Sequence, residues 1–278
     1  MLVLKNNSEN LNTLYRCGLY RKRILEISQL VSALHIAPAF SCIEIVDLIY
    51  NEFLYNSKKS KLYQGFFVMS KGHGCMAQYV TLEDLKILNT KDLNQYCTPN
   101  GFLGAHPDRG NPGIEASTGS LGHGMGMAVG MAYAEKIKKT NNKIYLLLSD
   151  GELQEGSTWE SAMMAANLNL DNLIVFVDNN DFGGMDRMSN YHKALYPLKE
   201  KFDSFGWDCS SADGHNEFQM KSLLKNRKKD KPYVMICKTI KGKGVSFMEN
   251  VPIWHYRSPN QNELKIALQE IKEKYLEK

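Results

Sequence analysis

The sequence lacks any apolar stretch close to the roughly 20 residues that a membrane-spanning helix needs, and its first apolar run, residues 1–4, is too short for a signal peptide. Its six cysteines are scattered and show no Cys-x-x-Cys spacing. These absences argue against a membrane protein, a disulfide framework and a zinc site. They favour a cytoplasmic chain whose cysteines are free thiols.

The sequence also lacks a strong excess of either charge, because 34 basic and 30 acidic residues leave a formal net charge of +4. Basic residues concentrate between Lys221 and Lys243, around the run Lys225–Lys229. No aromatic residue lies within that run, although stacking of bases on aromatic rings is typical of single-stranded nucleic-acid binding. We interpret the run as a solvated helix end or as a region that attracts anionic substrates. We therefore expect neither a nucleic-acid partner nor a membrane partner.

The length and the apolar content are those of a globular enzyme or binding domain. The 278 residues, 43% of them hydrophobic, suffice for one large α/β domain with a buried core. We expect residues 1–278 to form a single domain. The runs Gly65–Met69, Ile144–Leu148 and Leu173–Val177 have the apolar character of buried strands.

Three expectations concern the helices around these strands. Residues 34–41 form a break, and Ser41 at its end is expected to cap the next helix. Residues 81–98 are expected to form one helix. The tail from Ser258 is expected to form an amphipathic helix. Its apolar face consists of Leu264, Ala267, Leu268, Ile271 and Tyr275.

The segment that suggests a ligand site is Ser149–Gly156, an acidic turn between the strand-like run Ile144–Leu148 and the helix-like run Ser157–Leu168. In an open parallel sheet, ligands bind outside the carboxyl ends of the strands, where this turn would lie. Glycine lets the backbone approach a phosphate closely, and a helix N-terminus offers free N–H groups. Because Asp150 would repel a phosphate, its presence suggests Mg²⁺ between the two. Taken alone, the turn is more simply a solvated Asp-Gly turn.

A second strand end strengthens the magnesium prediction. The apolar run Leu173–Val177 ends in Asp178-Asn179-Asn180. If the two strands are parallel neighbours, Asp150 and Asn180 lie side by side at the edge of the sheet. Both offer the hard oxygen ligands that Mg²⁺ selects, and diphosphate oxygens and water would complete the octahedron. Ordinary turn chemistry explains the asparagines alone, but the pair of strand ends is more specific.

Several motifs resemble those of one enzyme family. The Ser149-Asp150-Gly151 and Asn179-Asn180 segments are similar to the Gly-Asp-Gly…Asn-Asn signature of thiamine-diphosphate enzymes, with Ser149 in place of the first glycine. Four further motifs occur in order, namely Ser70-Lys71-Gly72-His73-Gly74, Gly104-Ala105-His106-Pro107-Asp108, Ser117–Gly124 and Lys241–Asn250. From about Arg21 to the C-terminus, the chain resembles the N-terminal, diphosphate-binding half of a transketolase, in the form encoded as a separate subunit. The resemblance implies an α/β fold with a mostly parallel open sheet flanked by helices.

The resemblance also implies roles for residues that match the family's motifs. The implied catalytic residues are His35, His106, His255 and Glu155, the last in a proton network between subunits. The implied cofactor contacts are His73, Gly119, Ser120, Leu121, Gly151, Asn180 and His255. The implied metal ligands are the side chains of Asp150 and Asn180 and the backbone carbonyl of Phe182. Histidines titrate near neutral pH, which suits proton transfer to and from substrate hydroxyls.

The implied activity is the transfer of a two-carbon ketol unit from a ketose phosphate to an aldose phosphate, with thiamine diphosphate and Mg²⁺ as cofactors. The family activates the cofactor's aminopyrimidine with a glutamate on a pyrimidine-binding domain, and the sequence ends before any such domain. We therefore expect the chain to be inactive alone. It should need a separate C-terminal transketolase subunit, in a heterotetramer with two copies of each chain.

Departures from the family keep other functions open. Six positions where the family usually has glycine or another small residue carry larger ones here, namely Leu34, Ala37, Pro38, Asp181, Tyr256 and Arg257. One alternative is a different thiamine-diphosphate enzyme, such as a dehydrogenase subunit or a two-carbon transferase acting on a modified sugar. Another is a non-catalytic module that has kept the fold. Metal-dependent binding of the cofactor separates a module from an enzyme.

Overall fold

A computed structural model describes residues 2–56, 61–62, 65–184 and 186–277 of the chain. The α-helices of these residues are α1 (Leu2–Ile27), α2 (Ile36–Leu48), α3 (Cys75–Asp84), α4 (Thr90–Asn94), α5 (His123–Ile137), α6 (Gly156–Asn167), α7 (Met188–Tyr191), α8 (Leu198–Ser204), α9 (Glu217–Lys225) and α10 (Gln261–Ile271). The strands are β1 (Tyr55–Asn56), β2 (Lys61–Leu62), β3 (Gly65–Met69), β4 (Lys143–Ser149), β5 (Leu173–Asn179), β6 (Phe182–Gly183), β7 (Asp186–Arg187), β8 (Asp208–Asp213) and β9 (Tyr233–Lys238). Within these ranges, none of the helices combines the length and the apolar character needed to cross a membrane.

The centre of the structure is a five-stranded sheet in which all neighbouring strands are parallel, in the order β3-β4-β5-β9-β8. Strands β4 and β5 are direct neighbours, with Ser149 opposite Asp178. The segments that follow these two strands therefore leave the sheet at the same edge. Two short antiparallel pairs, β1-β2 and β6-β7, complete the strands. The predicted open, mostly parallel sheet flanked by helices is confirmed.

The alternation of side chains along the strands divides the core into two layers. Tyr145 and Leu147 of β4 pack in the layer that contains α1, α2, α3 and α10. Ile144, Leu146 and Leu148 of the same strand pack in the layer that contains α5, α6 and α8. All five side chains are buried. Because both faces of the strand are covered, its sequence is a continuous apolar run and not an alternating one.

Helix α2 begins earlier than the sequence suggests, so the prediction that Ser41 caps it is wrong. The helix starts at Ile36, after His35. Pro38 lies in the first turn, where a missing backbone N–H costs no helical hydrogen bond. Ser41 is therefore inside the helix, and its buried hydroxyl lies 2.6 Å from a carboxylate oxygen of Asp178.

The prediction of one helix over residues 81–98 is also wrong, because α3 and α4 are separated by a break. Lys86 has a φ of 61°, a left-handed conformation of the kind that ends helices. Asn89 and Asp92 then cap α4 reciprocally, each side chain accepting a hydrogen bond from the other's backbone N–H. The amphipathic C-terminal helix is confirmed, since Ala267 and Ile271 of α10 are buried.

A buried ion pair joins the carboxyl ends of β3 and β5. The ammonium group of Lys71 contacts the carboxylate of Asp178, and the two side chains are 1% and 0% exposed. Lys71 also donates to the carbonyl oxygen of Pro38, at 2.7 Å, and lies 2.9 Å from the hydroxyl of Ser41. The hydroxyl of Thr239, which follows β9, donates to the other oxygen of Asp178. Although burial raises it, the pKa of Asp178 is held below its ordinary value by Lys71.

We expect Lys71→Met to lower the free energy of unfolding by roughly 3–5 kcal/mol, because it leaves the Asp178 carboxylate buried without its cation. The double variant Lys71→Met/Asp178→Leu should recover part of this loss, because neither member of the pair then stays buried as an unpaired charge. Urea denaturation followed by circular dichroism measures both. Lys199→Met, which breaks the exposed pair with Asp203, is the matched control and should cost less than about 1 kcal/mol. Equal losses for the two lysine variants would contradict the role of the buried pair.

A second buried polar cluster lies between α1, α2 and α9. Glu217 is 8% exposed, and its Oε1 has no hydrogen-bond partner within the described ranges. Burial and the neighbouring Asp47 raise the pKa of Glu217 well above its ordinary value. Asp47 itself is paired with Arg16. The polar and ionisable groups that face Glu217 are Thr13, Arg16, Cys17, Glu44 and Asp47.

We expect Glu217→Gln to change how stability depends on pH. A carboxyl group whose folded-state pKa is raised stabilises the fold while protonated, and this contribution is lost as pH rises from the unfolded pKa of about 4.3 through the folded value. Glutamine stays neutral. The difference in melting temperature, variant minus wild type, should therefore increase from pH 5 to pH 8. Differential scanning fluorimetry measures this difference, with Glu200→Gln at an exposed glutamate as the control. A difference that is constant with pH would refute the raised pKa.

Candidate active site

Four histidines from separate segments line one cavity at the carboxyl edge of the sheet. The cavity has a volume of about 410 Å³. Of the residues that the resemblance assigns to a site, it is lined by His35, His73, His106, His255, Gly119, Leu121, Gly151, Glu155 and Phe182. Three of the contributing segments follow β3, β4 and β5, so the parallel sheet itself brings them to one edge.

His35 lies at the centre of the histidine group. Its ring centroid is 5.9 Å from that of His73, 5.8 Å from that of His106 and 5.5 Å from that of His255. The rings of His73 and His255 are 5.4 Å apart. The structure thus brings together four histidines that the motifs single out one by one.

The pKa values of three of these imidazoles are lowered. Burial lowers the pKa of His35 to about 4 and that of His255 to about 3, and nearby positive groups act in the same direction. Burial and the charge of Lys71 place the pKa of His73 well below its ordinary value. The Nδ1 of His35 is buried and has no hydrogen-bond partner among the described residues. These rings are therefore neutral at neutral pH, and a neutral imidazole offers one donor nitrogen and one acceptor nitrogen.

Asp150, the first predicted metal ligand, follows β4 and is fully buried. Its carboxylate accepts hydrogen bonds from the backbone N–H groups of Gly151, at 2.9 Å, and Asp181, at 2.5 Å. Burial and the negative charge of Asp178 raise the pKa of Asp150 to about 7. The side chain is thus a carboxylate held in a place that disfavours its charged form.

The other two predicted metal ligands follow β5. Asn180 donates from Nδ2 to Asp178 and accepts at Oδ1 from the N–H of Phe182, both at 3.1 Å. The carbonyl oxygen of Phe182 would lie 3.6 Å from a Cβ built on Gly151. The predicted ligands from the two neighbouring strands therefore lie around the same two turns, as the sequence suggests.

These groups fit a divalent cation. Lys71 neutralises Asp178, whereas Asp150 makes no ion pair with any lysine, arginine or histidine in the part of the chain that the structure describes. A bound cation would compensate this second buried charge and keep the carboxylate ionised. The donors are carboxylate, amide and carbonyl oxygens, which are the ligands that Mg²⁺ selects.

Glu152 is a buried residue of the site that the motifs do not reveal. Its carboxylate accepts hydrogen bonds from the hydroxyl of Ser70 and from the N–H of Gly122, the latter at 2.9 Å. It therefore links the turn after β3 to the glycine-rich loop before α5. In the sequence it is one acidic residue in an acidic turn, a pattern that normally indicates solvent exposure, so no local signal predicts its burial.

The glycine-rich loop meets the cavity through two of its three predicted contact residues. Gly119 and Leu121 line the cavity, whereas Ser120 between them is exposed. Gly119 has a φ of 131°, and a Cβ at this position would lie 2.8 Å from the ring of His106. Both the backbone conformation and the close ring favour glycine here.

Lys241 belongs to one of the sequence motifs, but the motif alone predicts no role for it. Lys241 is 2% exposed, and its ammonium group lies 2.9 Å from Nδ1 of His255 and 2.8 Å from the carbonyl oxygen of Gly184. An ammonium group only donates, so Nδ1 of His255 accepts and the ring proton is on Nε2. Burial lowers the pKa of Lys241 to about 8, which leaves it mostly charged at neutral pH. Lys241 therefore fixes the tautomer of His255.

Comparison with known proteins identifies the family. The family model described as transketolase, thiamine diphosphate binding domain, matches residues 21–271. The chain belongs to the transketolase family. It is 34% identical over 91% of its length to a protein of Phocaeicola vulgatus that is named as one subunit of an apulose-4-phosphate transketolase, and the match covers 92% of that protein. It is 32% identical over 95% of its length to a 6-deoxy-6-sulfo-D-fructose transketolase subunit from a Clostridium species, of which the match covers 98%.

Solved transketolases share the fold. The transketolase of Campylobacter jejuni superposes with a TM-score of 0.84 at 25% identity, over 93% of this chain and 42% of that one. The transketolase of Leishmania mexicana gives a TM-score of 0.83 at 24% identity, over 96% of this chain and 42% of that one. The chain thus spans about two fifths of the length of these enzymes. The predicted fold and the thiamine diphosphate cofactor are confirmed, whereas the divalent metal and the roles of individual site residues stay predictions.

We expect Lys241→Met to change the tautomer and the pKa of His255. Without the ammonium donor, the imidazole proton should distribute over both nitrogens, and the pKa of His255 should rise because a neighbouring positive charge is gone. Two-dimensional ¹H–¹⁵N spectra of the imidazoles report both changes, and His255→Gln assigns the signals.

Lys243→Met is the matched control for this experiment, because Lys243 lies on the same loop and its ammonium group faces Glu249. It should leave the spectrum of His255 unchanged. An Nε2–H tautomer with the same pKa in both variants and the wild type would show that Lys241 does not set the state of His255.

Proposed function

We propose that this chain is the thiamine-diphosphate-binding subunit of a transketolase that moves a two-carbon ketol unit from a ketose phosphate to an aldose phosphate. The observation that carries the proposal is the cavity lined by four histidines together with Phe182 and with Gly151, which follows Asp150, in a chain of this family. We further propose that residues 1–278 form one domain and act in the cytoplasm. The six free cysteines support a reducing compartment.

The cofactor's diphosphate would bind through Mg²⁺. Asp150, Asn180 and the carbonyl oxygen of Phe182 would hold the ion, which their all-oxygen chemistry favours over a softer metal. Gly151 and His73 line the cavity beside this group and would contact the diphosphate. The loop with Gly119, Ser120 and Leu121 would contact the thiamine end of the molecule.

When bound, thiamine diphosphate supplies a carbon nucleophile that adds to a carbonyl group and accepts the electron pair of the broken C–C bond. The residues of this chain would orient the sugar and move protons. His35 is a neutral imidazole whose Nδ1 has no hydrogen-bond partner among the described residues, so it can take a proton from a substrate hydroxyl and return it. Lys241 leaves Nε2–H of His255 as a hydrogen-bond donor. His106, 5.8 Å from His35, would bind a second hydroxyl of the same substrate.

Glu155 gives the reason to propose a partner subunit. It is exposed at the rim of the cavity, where α6 begins. We infer that it faces a separate C-terminal transketolase subunit that carries the pyrimidine-binding domain, in an assembly with two copies of each chain. The relatives named as transketolase subunits support the need for a partner.

A modified sugar is the second candidate substrate. Two relatives matched over most of their length are named for apulose 4-phosphate and for 6-deoxy-6-sulfo-D-fructose. Tyr256, where transketolases usually have a small residue, places its ring 4.5 Å from that of His35. A ring at this position narrows the approach to His35, which favours a substrate that differs in shape from the common sugar phosphates.

We expect the purified chain to bind thiamine diphosphate only together with Mg²⁺, and Asp150→Ala to weaken this binding by about 100-fold or more, because the site loses its one anionic ligand. Isothermal titration calorimetry measures both. Asp171→Ala is the control, because Asp171 precedes β5 at the opposite edge of the sheet and pairs with Lys136 at the surface. It should bind like the wild type.

Turnover completes the test. Ketol transfer should be absent from the chain alone and appear when the pyrimidine-domain subunit is added. Turnover of apulose 4-phosphate and of 6-deoxy-6-sulfo-D-fructose, compared with turnover of unmodified ketose phosphates, decides between the two substrate classes. Cofactor binding without any need for a divalent metal, or full turnover by the chain alone, would contradict the proposal.

A further inference from the structure

We infer that Asp181 is a positioning residue, which holds the proposed metal ligands in place through its backbone while its carboxylate anchors it to the next segment. Asp181 lies between Asn180 and Phe182, at a position where transketolases usually have glycine. The inference rests on the proposed metal site and assigns a task to a residue that the family pattern does not explain.

The backbone of Asp181 is directly attached to the site. Its N–H donates to Oδ2 of Asp150 at 2.5 Å, the shorter of the two backbone hydrogen bonds to that carboxylate. Its φ is 68°, in the left-handed region, where aspartate is tolerated but glycine is favoured. This turn of the chain lets Asn180 accept from the N–H of Phe182. All three proposed ligands therefore depend on the conformation of one residue.

The side chain of Asp181 is held by the segment that follows. One carboxylate oxygen accepts from the N–H of Ser189 at 2.8 Å and lies 3.2 Å from the hydroxyl of Tyr196. The other accepts from the hydroxyl of Ser189 at 2.7 Å and from the guanidinium of Arg187 at 3.2 Å. The carbonyl oxygen of Asp181 accepts from the N–H of Met188 at 2.9 Å.

These contacts explain why a carboxylate so near the proposed metal need not be a ligand. Arg187 and three further donors satisfy its two oxygens on the side of α7. The bonds compensate the cost of a left-handed conformation in a residue with a Cβ. Glycine reaches this conformation without strain but has no side chain to hold it there. In this chain the hydrogen bonds of the Asp181 carboxylate restrict the backbone to this one turn conformation.

The test measures metal binding rather than turnover. Electron paramagnetic resonance of free Mn²⁺ gives the Mn²⁺ affinity of the full chain in the presence of thiamine diphosphate. Asp181→Ala keeps neither the anchor nor the tolerance for positive φ, and should weaken Mn²⁺ binding by roughly tenfold or more, as changes behind metal ligands do. Asp181→Gly keeps the conformation without the anchor and should fall between this variant and the wild type. Asp181→Asn keeps the tolerance and an accepting oxygen, and should rescue most of the affinity.

Asn169→Ala is the matched control, because Asn169 has a φ of 49° after α6, away from the site. It should lower the melting temperature and leave the Mn²⁺ affinity unchanged. If Asp181→Ala does not fold, the double variant Ser189→Ala/Tyr196→Phe takes its place. It removes the two hydroxyls that bind the Asp181 carboxylate and should weaken Mn²⁺ binding without a change at position 181.

The remaining results distinguish a failure of the positioning role from a failure of the metal site. Wild-type affinity in Asp181→Ala and in the double variant, with binding lost in Asp150→Ala, would overturn the positioning role and leave the metal site standing. No Mn²⁺ binding by the wild-type chain, or none lost in Asp150→Ala, would overturn the metal site and this inference with it.

Discussion

The contact between Lys71 and Asp178 is the constraint on which the rest of the site depends. It joins the ends of β3 and β5, and through Ser41 and Thr239 it also fixes α2 and the end of β9. A buried charge without its partner is costly, so these four elements keep one arrangement. His35 precedes α2, His73 follows β3 and Asn180 follows β5, so these three residues are placed by this arrangement. Asp150 has no ion-pair partner like Lys71 among the described residues. Its carboxylate, and not that of Asp178, therefore suits a metal.

Three carboxylates that are fully buried, those of Asp150, Glu152 and Asp178, have different partners. Lys71 neutralises Asp178 and holds its pKa below the ordinary value. Burial raises the pKa of Glu152, although its carboxylate accepts hydrogen bonds from Ser70 and Gly122. This side chain holds the glycine-rich loop against the turn after β3. Burial and Asp178 raise the pKa of Asp150 to about 7, and backbone N–H groups are its hydrogen-bond donors. The surroundings of each carboxylate thus separate the ion-paired Asp178 from Asp150, the proposed metal ligand.

Much of the fold and part of the site could be predicted from the sequence, and the division has physical reasons. Apolar runs bounded by polar turns predict β4 and β5, and their order along the chain makes them neighbours, so Asp150 and Asn180 could be placed together. The partners of Lys71 and Glu152 could not, because they lie far away along the chain and a polar residue after a strand normally faces solvent. Ser41 has the sequence position of a cap, but burial against Asp178 decides its place.

The four histidines come from four stretches of chain that are far apart in the sequence and meet only in the folded structure. A ligand that binds there can recognise only the finished fold, and by mass action it shifts the balance away from unfolded chains. In a cell, the supply of the vitamin-derived cofactor would then govern not only how fast the protein works but how long each copy escapes proteolysis.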